Sequence, residues 1–161
     1  MPNHIRDNLI DQIADQLETI TTTAGYSRSV ARVYKANPNS ANIPSPAVVL
    51  VQGNEDVTDF VGPLVERNCN LNITFVDNYA GQDADGEALE FLSDVQRCIG
   101  EILTFTFSAE RYPGGSGTCS ARLSEIGSSL NYSDAMRGKI YGTITYNLAY
   151  RTSSKDPRKL P

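Results

Sequence analysis

The chain has 161 residues, 40% hydrophobic and 20% charged, enough apolar material for one domain with a real core and far from the composition of disordered chains. Its net charge of −5 argues against a protein that wraps nucleic acid, which must neutralise phosphates with clustered Lys and Arg. The three cysteines, Cys69, Cys98 and Cys119, leave one unpaired in any disulfide scheme and read as small buried side chains in a reducing compartment.

The N-terminal run MPNHIRDNLIDQ lacks the apolar core of a signal peptide, and no stretch approaches the roughly 20 apolar residues of a membrane span. A soluble protein with no membrane association is expected. Ile5, Leu9, Ile13, Leu17 and Ile20 recur at three- and four-residue steps and predict a helix over 5–20, capped by Asn3 and stopped by Thr21, Thr22, Thr23 and Gly25. A strand follows over 27–35, then the loop ANPNSANIPSP, then the aliphatic strand 47–51, ended by Gly53.

Residues 54–66 mix an acidic turn (Glu55, Asp56, Asp59) with Phe60, Val61, Pro63, Leu64 and Val65, and read as loop or edge strand. Over 67–76 the alternation is clean, with Cys69, Leu71, Ile73 and Phe75 on one face and Asn68, Asn70, Asn72 and Thr74 on the other, as in a sheet with one wet face. A second helix is predicted over 87–102 from Ala88, Phe91, Leu92, Val95, Ile99 and Ile102, with Asp83 and Asp85 at its positive end. After the flexible loop RYPGGSG come strands over 118–126 and 139–151, expected to pair antiparallel.

The expected fold is therefore α+β, a mainly antiparallel five-stranded sheet with both helices packed on one face, in the order α-β-β-β-α-β-β. A single domain spans 1–150, and 151–161, RTSSKDPRKLP, is expected to be a mobile polar tail.

Chemistry is sparse. The single histidine, His4, near the terminus and ahead of the first helix, argues against a His-based triad and leaves no His-rich metal site, and the scattered cysteines form no C-x-x-C pair. Gly114–Gly117 lacks the residues of a nucleophile elbow or phosphate loop. Asp83, Asp85 and Glu87 would need an acid at Gly81 to form a calcium loop. The Asn72 and Asn131 glycosylation triplets are short patterns with nothing pointing to secretion. No catalytic residue, cofactor or metal is expected.

The feature above this background is the first helix, where Asp7, Asp11, Asp15 and Glu18 share one stripe opposite the apolar one. Such a stripe is either a solvated face or a surface that meets basic groups on a partner or repels passing DNA. Tyr132, Tyr141, Tyr146 and Tyr150 suit sheet packing or interfaces. The candidate interface residues are Asp7, Asp11, Asp15 and Glu18, together with Tyr112 of the glycine-rich loop and Arg151, Lys155, Arg158 and Lys159 of the basic tail.

The segments IRDNLIDQIADQLETI, PAVVLV, LNITFVDNY, GEALEFLSDVQRCIGEIL and IYGTITYNLAYRT, in this order, resemble the tail terminator proteins of long-tailed bacteriophages. The resemblance spans nearly the whole chain but rests on element order and apolar pattern, so it transfers architecture and role, not site residues. It implies a hexameric ring that caps the finished tail tube, stops its polymerisation and meets the head connector. The tube protein and connector proteins would be its partners, and genomic DNA would pass through without specific binding. The protein would be assembled in the host cytoplasm and reside in the virion, at the head-proximal end of the tail. The rival readings are another head-tail joining, head completion or tail tube subunit, and, from a different class, a small enzyme using carboxylates such as Asp77 and Asp83 or a ligand-binding module.

Overall fold

In the computed structural model, which describes residues 4–36, 38, 43–79, 81–131 and 138–161, the first helix, α1 (Ile5–Glu18), buries Ile5, Leu9, Ile10, Ile13, Ala14 and Leu17. The expected cap, Asn3, lies outside the described residues. His4 occupies the cap position, and its Nδ1 accepts from the Arg6 backbone N–H at 3.2 Å. A short 3₁₀ turn at Thr22–Ala24 ends on Gly25 at φ +83°, a left-handed geometry that glycine adopts without strain.

Six strands follow: β1 (Arg32–Tyr34), β2 (Ala47–Val61), β3 (Leu64–Asn78), β4 (Thr104–Glu110), β5 (Ser116–Asn131) and β6 (Lys139–Ser153), with α2 (Ala84–Gly100) between β3 and β4. They form one sheet in the order β1-β2-β3-β6-β5-β4, curved as a half-barrel. β3 and β6 stand at its centre and pair without interruption from Leu64↔Ser153 to Asn78↔Lys139.

Alternation along these two strands separates two faces. Cys69, Leu71, Ile73 and Phe75 of β3 and Ile144, Tyr146 and Leu148 of β6 are buried beneath both helices, in one core with Leu9, Ile13, Leu17, Phe91, Val95 and Ile99. Gly142 stands opposite Phe75, and a Cβ there would lie 2.6 Å from Phe75 Cζ, so the large ring requires the small partner. On the other face, Thr145 donates to Asn72 at 2.9 Å, Asn147 to Asn68 at 3.1 Å, and Thr74 and Thr143 bond at 2.9 Å.

The five-stranded, mainly antiparallel sheet expected from sequence is corrected to six strands in a mixed sheet. β1 runs parallel to β2, pairing Arg32–Tyr34 with Ala47–Val49, because the intervening connection is long enough to return the chain to the same end of the sheet. The missed strand is β4, whose alternating Phe105, Phe107 and Ala109 follow directly on α2. Residues 54–66 belong to a long hairpin whose tight turn is Gly62-Pro63, with Gly62 at φ +62°.

β6 runs on to Ser153, past the expected boundary at 150, and residues 154–161 are bonded back to the domain. Ser154 N donates to Pro63 O at 2.8 Å, Leu160 N to Glu110 O at 2.7 Å and Tyr112 N to Leu160 O at 3.0 Å, with Leu160 buried. Because Phe75 is fully buried and its ring lies 4.6 Å from that of Phe91, Phe75→Ala is expected to cost about 3–5 kcal/mol. Urea unfolding measures this, and a loss under 1 kcal/mol would deny Phe75 that place in the core.

Candidate functional site

Two buried polar clusters tie the domain together. A register shift in β2 between Gln52 and Glu55 places Glu55 opposite Cys69, on the helix side of the sheet. There its carboxylate accepts from Arg67 at 2.7 Å and from the Tyr150 hydroxyl, with the Arg6 guanidinium at 3.5 Å. Arg67 also donates to Thr152 Oγ1 at 2.9 Å. Burial alone would raise the Glu55 pKa, but the bonds from Tyr150 and Arg67 and the charges of Arg67 and Arg6 outweigh it and hold the carboxyl below its usual range. Burial, reinforced by the same bond, pushes the Tyr150 hydroxyl up, so the tyrosine stays a neutral donor.

In the second cluster, Arg28 lies over the Phe91 ring at 4.8 Å and donates to Asp77 at 2.5 Å and to Glu87 O at 3.2 Å. Ser45 donates to the other Asp77 oxygen at 2.8 Å, and Ser27 reaches Asp94 through both its backbone N–H and its hydroxyl. Asp83 caps α2 by accepting from Gly86 N at 2.9 Å. The two carboxylates considered for an enzyme thus have separate tasks, Asp77 holding the Arg28 loop and Asp83 a helix end. Among the described residues no cluster of His, Cys, Asp and Glu is placed to hold a metal, and no helix is long and apolar enough to cross a membrane.

The surface is less settled than the interior. β1 covers β2 only at Ala47–Val49, so the outer edge of β2 over 50–61 has no strand partner among the described residues. At the opposite corner, β4 pairs β5 only up to Arg122, so the outer edge of β5 over 124–130 has no strand partner among the described residues. The free end of the β2–β3 hairpin exposes Val57, Phe60 and Val61, with Phe60 69% accessible, and β5 exposes Ile126. Unpaired ladder groups beside exposed apolar side chains are a template for joining another chain.

The polar sheet face carries a concavity of about 570 Å³ near the same hairpin, lined among others by Thr58, Glu66, Asn68, Ser120, Arg122 and Arg151. Arg151 pairs with Glu66 at 2.5 Å. Arg122 is exposed and has no ion-pair partner among the described residues.

The sequence-selected residues fall into two groups on different faces. Asp7, Asp15 and Glu18 are exposed on α1, and Asp11 is half-exposed and paired with Lys35 at 2.7 Å. Tyr112, Arg151, Lys155, Arg158 and Lys159 gather at the end of the sheet where the C-terminus returns, with Arg158 paired to Asp156 at 3.0 Å and Lys159 to Glu110 at 3.2 Å. Of the tyrosines, Tyr146 and Tyr150 are buried, Tyr141 is half-buried, and Tyr132 lies outside the described residues. Sequence reasoning passed over Val57, Phe60, Val61 and Arg122. The apolar pair Phe60-Val61 inside an acidic turn was the available signal for the first three, and Arg122 carried none. Compared with known proteins, the chain matches no protein-family model and has no match among curated proteins.

Since the Glu55 carboxyl is held below its unfolded value of about 4.3, its contribution is full above that pH and is lost as pH falls through the folded value. Glu55→Gln is expected to cost roughly 1.5–3 kcal/mol at neutral pH. In urea unfolding carried from neutral into acid pH, the gap between wild type and variant narrows once pH falls below the unfolded value; a gap independent of pH would contradict the assignment.

Proposed function

We propose that this chain is a structural virion protein, the tail terminator of a long-tailed bacteriophage, whose copies close into a ring, expected to be a hexamer, on the finished tail tube. The observation that carries the reading is a pair of sheet edges at opposite corners, over 50–61 and 124–130, that have no strand partner among the described residues, the first ending in exposed Val57, Phe60 and Val61. Soluble proteins cover or blunt such edges; a subunit can leave them open because its neighbours cover them. The two edges differ, so a contact between them is heterologous, and heterologous contacts close into rings when the rotation permits.

The ring stops tube elongation and presents its other side to the head connector, so the tube and connector proteins are the partners. The net charge of −5 favours free passage of genomic DNA over binding. The resemblance of the helix and strand segments to the terminator family supports the same role, and with it a position at the head-proximal end of the tail.

The test is tail length. Particles assembled without this chain are expected to carry tails of uncontrolled length in electron micrographs, and supplying the chain in trans restores a uniform one. A Phe60→Asp, Val61→Asp variant, altered only at exposed positions and so expected to stay within about 0.5 kcal/mol of wild-type stability, fails to restore it. Uniform tails in the absence of the chain would contradict the reading.

A further inference from the structure

We propose that the concavity around Arg122 receives the acidic face of α1 from a second copy of this chain. The proposal rests on the ring reading above and names a contact that builds the ring.

Ala121 and Leu123 are almost fully buried beneath the helices, so Arg122 between them projects from the opposite, polar face, flanked in register by Thr104 and Ala149. Arg151, two residues beyond Ala149 on β6, emerges on the same face and is matched by Glu66 at 2.5 Å. Three arginines line the concavity of about 570 Å³, with Thr58 and Ser120 at its wall; Arg67 is engaged by Glu55 at 2.7 Å and Arg151 by Glu66. Arg122 is the one of the three with no ion-pair partner among the described residues.

The complement lies on the other side of the sheet. Four acids, Asp7, Asp11, Asp15 and Glu18, share one stripe of α1, and among the described residues only Asp11 of the four has an ion pair, with Lys35 just after β1 at 2.7 Å. Like charges at four-residue spacing repel along a helix, and an opposing guanidinium relieves that repulsion while forming charge-assisted bonds with carboxylates. Because α1 covers one face and Arg122 leaves the other, the two cannot meet within one chain. They meet between copies, and since the patches differ the contact is head-to-tail and propagates around a ring, whereas a two-fold dimer would place each patch against itself. Nucleic-acid phosphate also suits a guanidinium, but a chain of net charge −5 repels a polyanion, and the carboxylates of a second copy are the better match.

The experiment is a charge exchange followed by analytical ultracentrifugation of the full chain. Arg122→Glu alone sets acid against acid, and Asp15→Lys with Glu18→Lys sets base against base. Each variant is expected to reduce the closed oligomer roughly tenfold or more at a concentration where wild type assembles. An equimolar mixture regains it, because every Arg122→Glu concavity then meets a lysine-bearing helix and every native concavity an acidic one. Recovery requires both variants to be folded, and circular dichroism checks each separately. The milder Arg122→Gln is expected to weaken the oligomer and flatten its salt dependence, which a merely structural arginine would not do. Single variants that assemble like wild type, or a mixture of folded variants that stays dissociated, overturn the contact and leave the ring reading standing. A wild-type chain that is monomeric at every concentration overturns both.

Discussion

The uninterrupted antiparallel register between β3 and β6 is the constraint from which the other features follow. Side chains in a strand alternate with a period of two, so a slip of one residue would turn Asn68, Asn70, Asn72 and Thr74 into the core and Cys69, Leu71, Ile73 and Phe75 into water. Each fully buried apolar side chain is worth about 1.5–3 kcal/mol, which makes the native register far more stable than its neighbours. The pairing of Phe75 with Gly142 fixes it from the packing side, and the Asn and Thr bonds on the polar face fix it from the other.

With the register set, the sheet becomes a partition. Both helices lie on the apolar side and place the acidic stripe of α1 outward, while the polar side carries Arg122, Arg151 and the concavity. The Glu55 cluster joins this core to the projecting hairpin, since one carboxylate engages β3 through Arg67, β6 through Tyr150 and the start of α1 through Arg6. The hairpin can thus extend beyond the helices with its outer edge open and remain anchored at its base.

Much of this was legible in the sequence where burial is one-sided. The two helices and the strand over 67–76 announced themselves through periodicity, and the helix-capping role of Asp83 through its position. What escaped lacked such a signal. The parallel pairing of β1 depends on where a connection leads, which no local pattern records. The hairpin arm over 56–61 is exposed on both faces, so its residues do not alternate. β4 does alternate, but its short run of Phe and Thr sits directly behind a helix that masks its start. The acidic stripe could be read from spacing, whereas its proposed complement could not: Arg122 in a strand looks like any solvated residue until the fold sets it in one concavity with Arg151, with no ion-pair partner among the described residues.

The reading of a two-faced sheet built to be completed by its neighbours is tested most directly by the native mass of the purified chain across a range of concentrations, with electron micrographs of the same samples. The account predicts one closed assembly of fixed subunit number, visible as a ring. A monomer at all concentrations, or an open series of ever longer filaments, would contradict it.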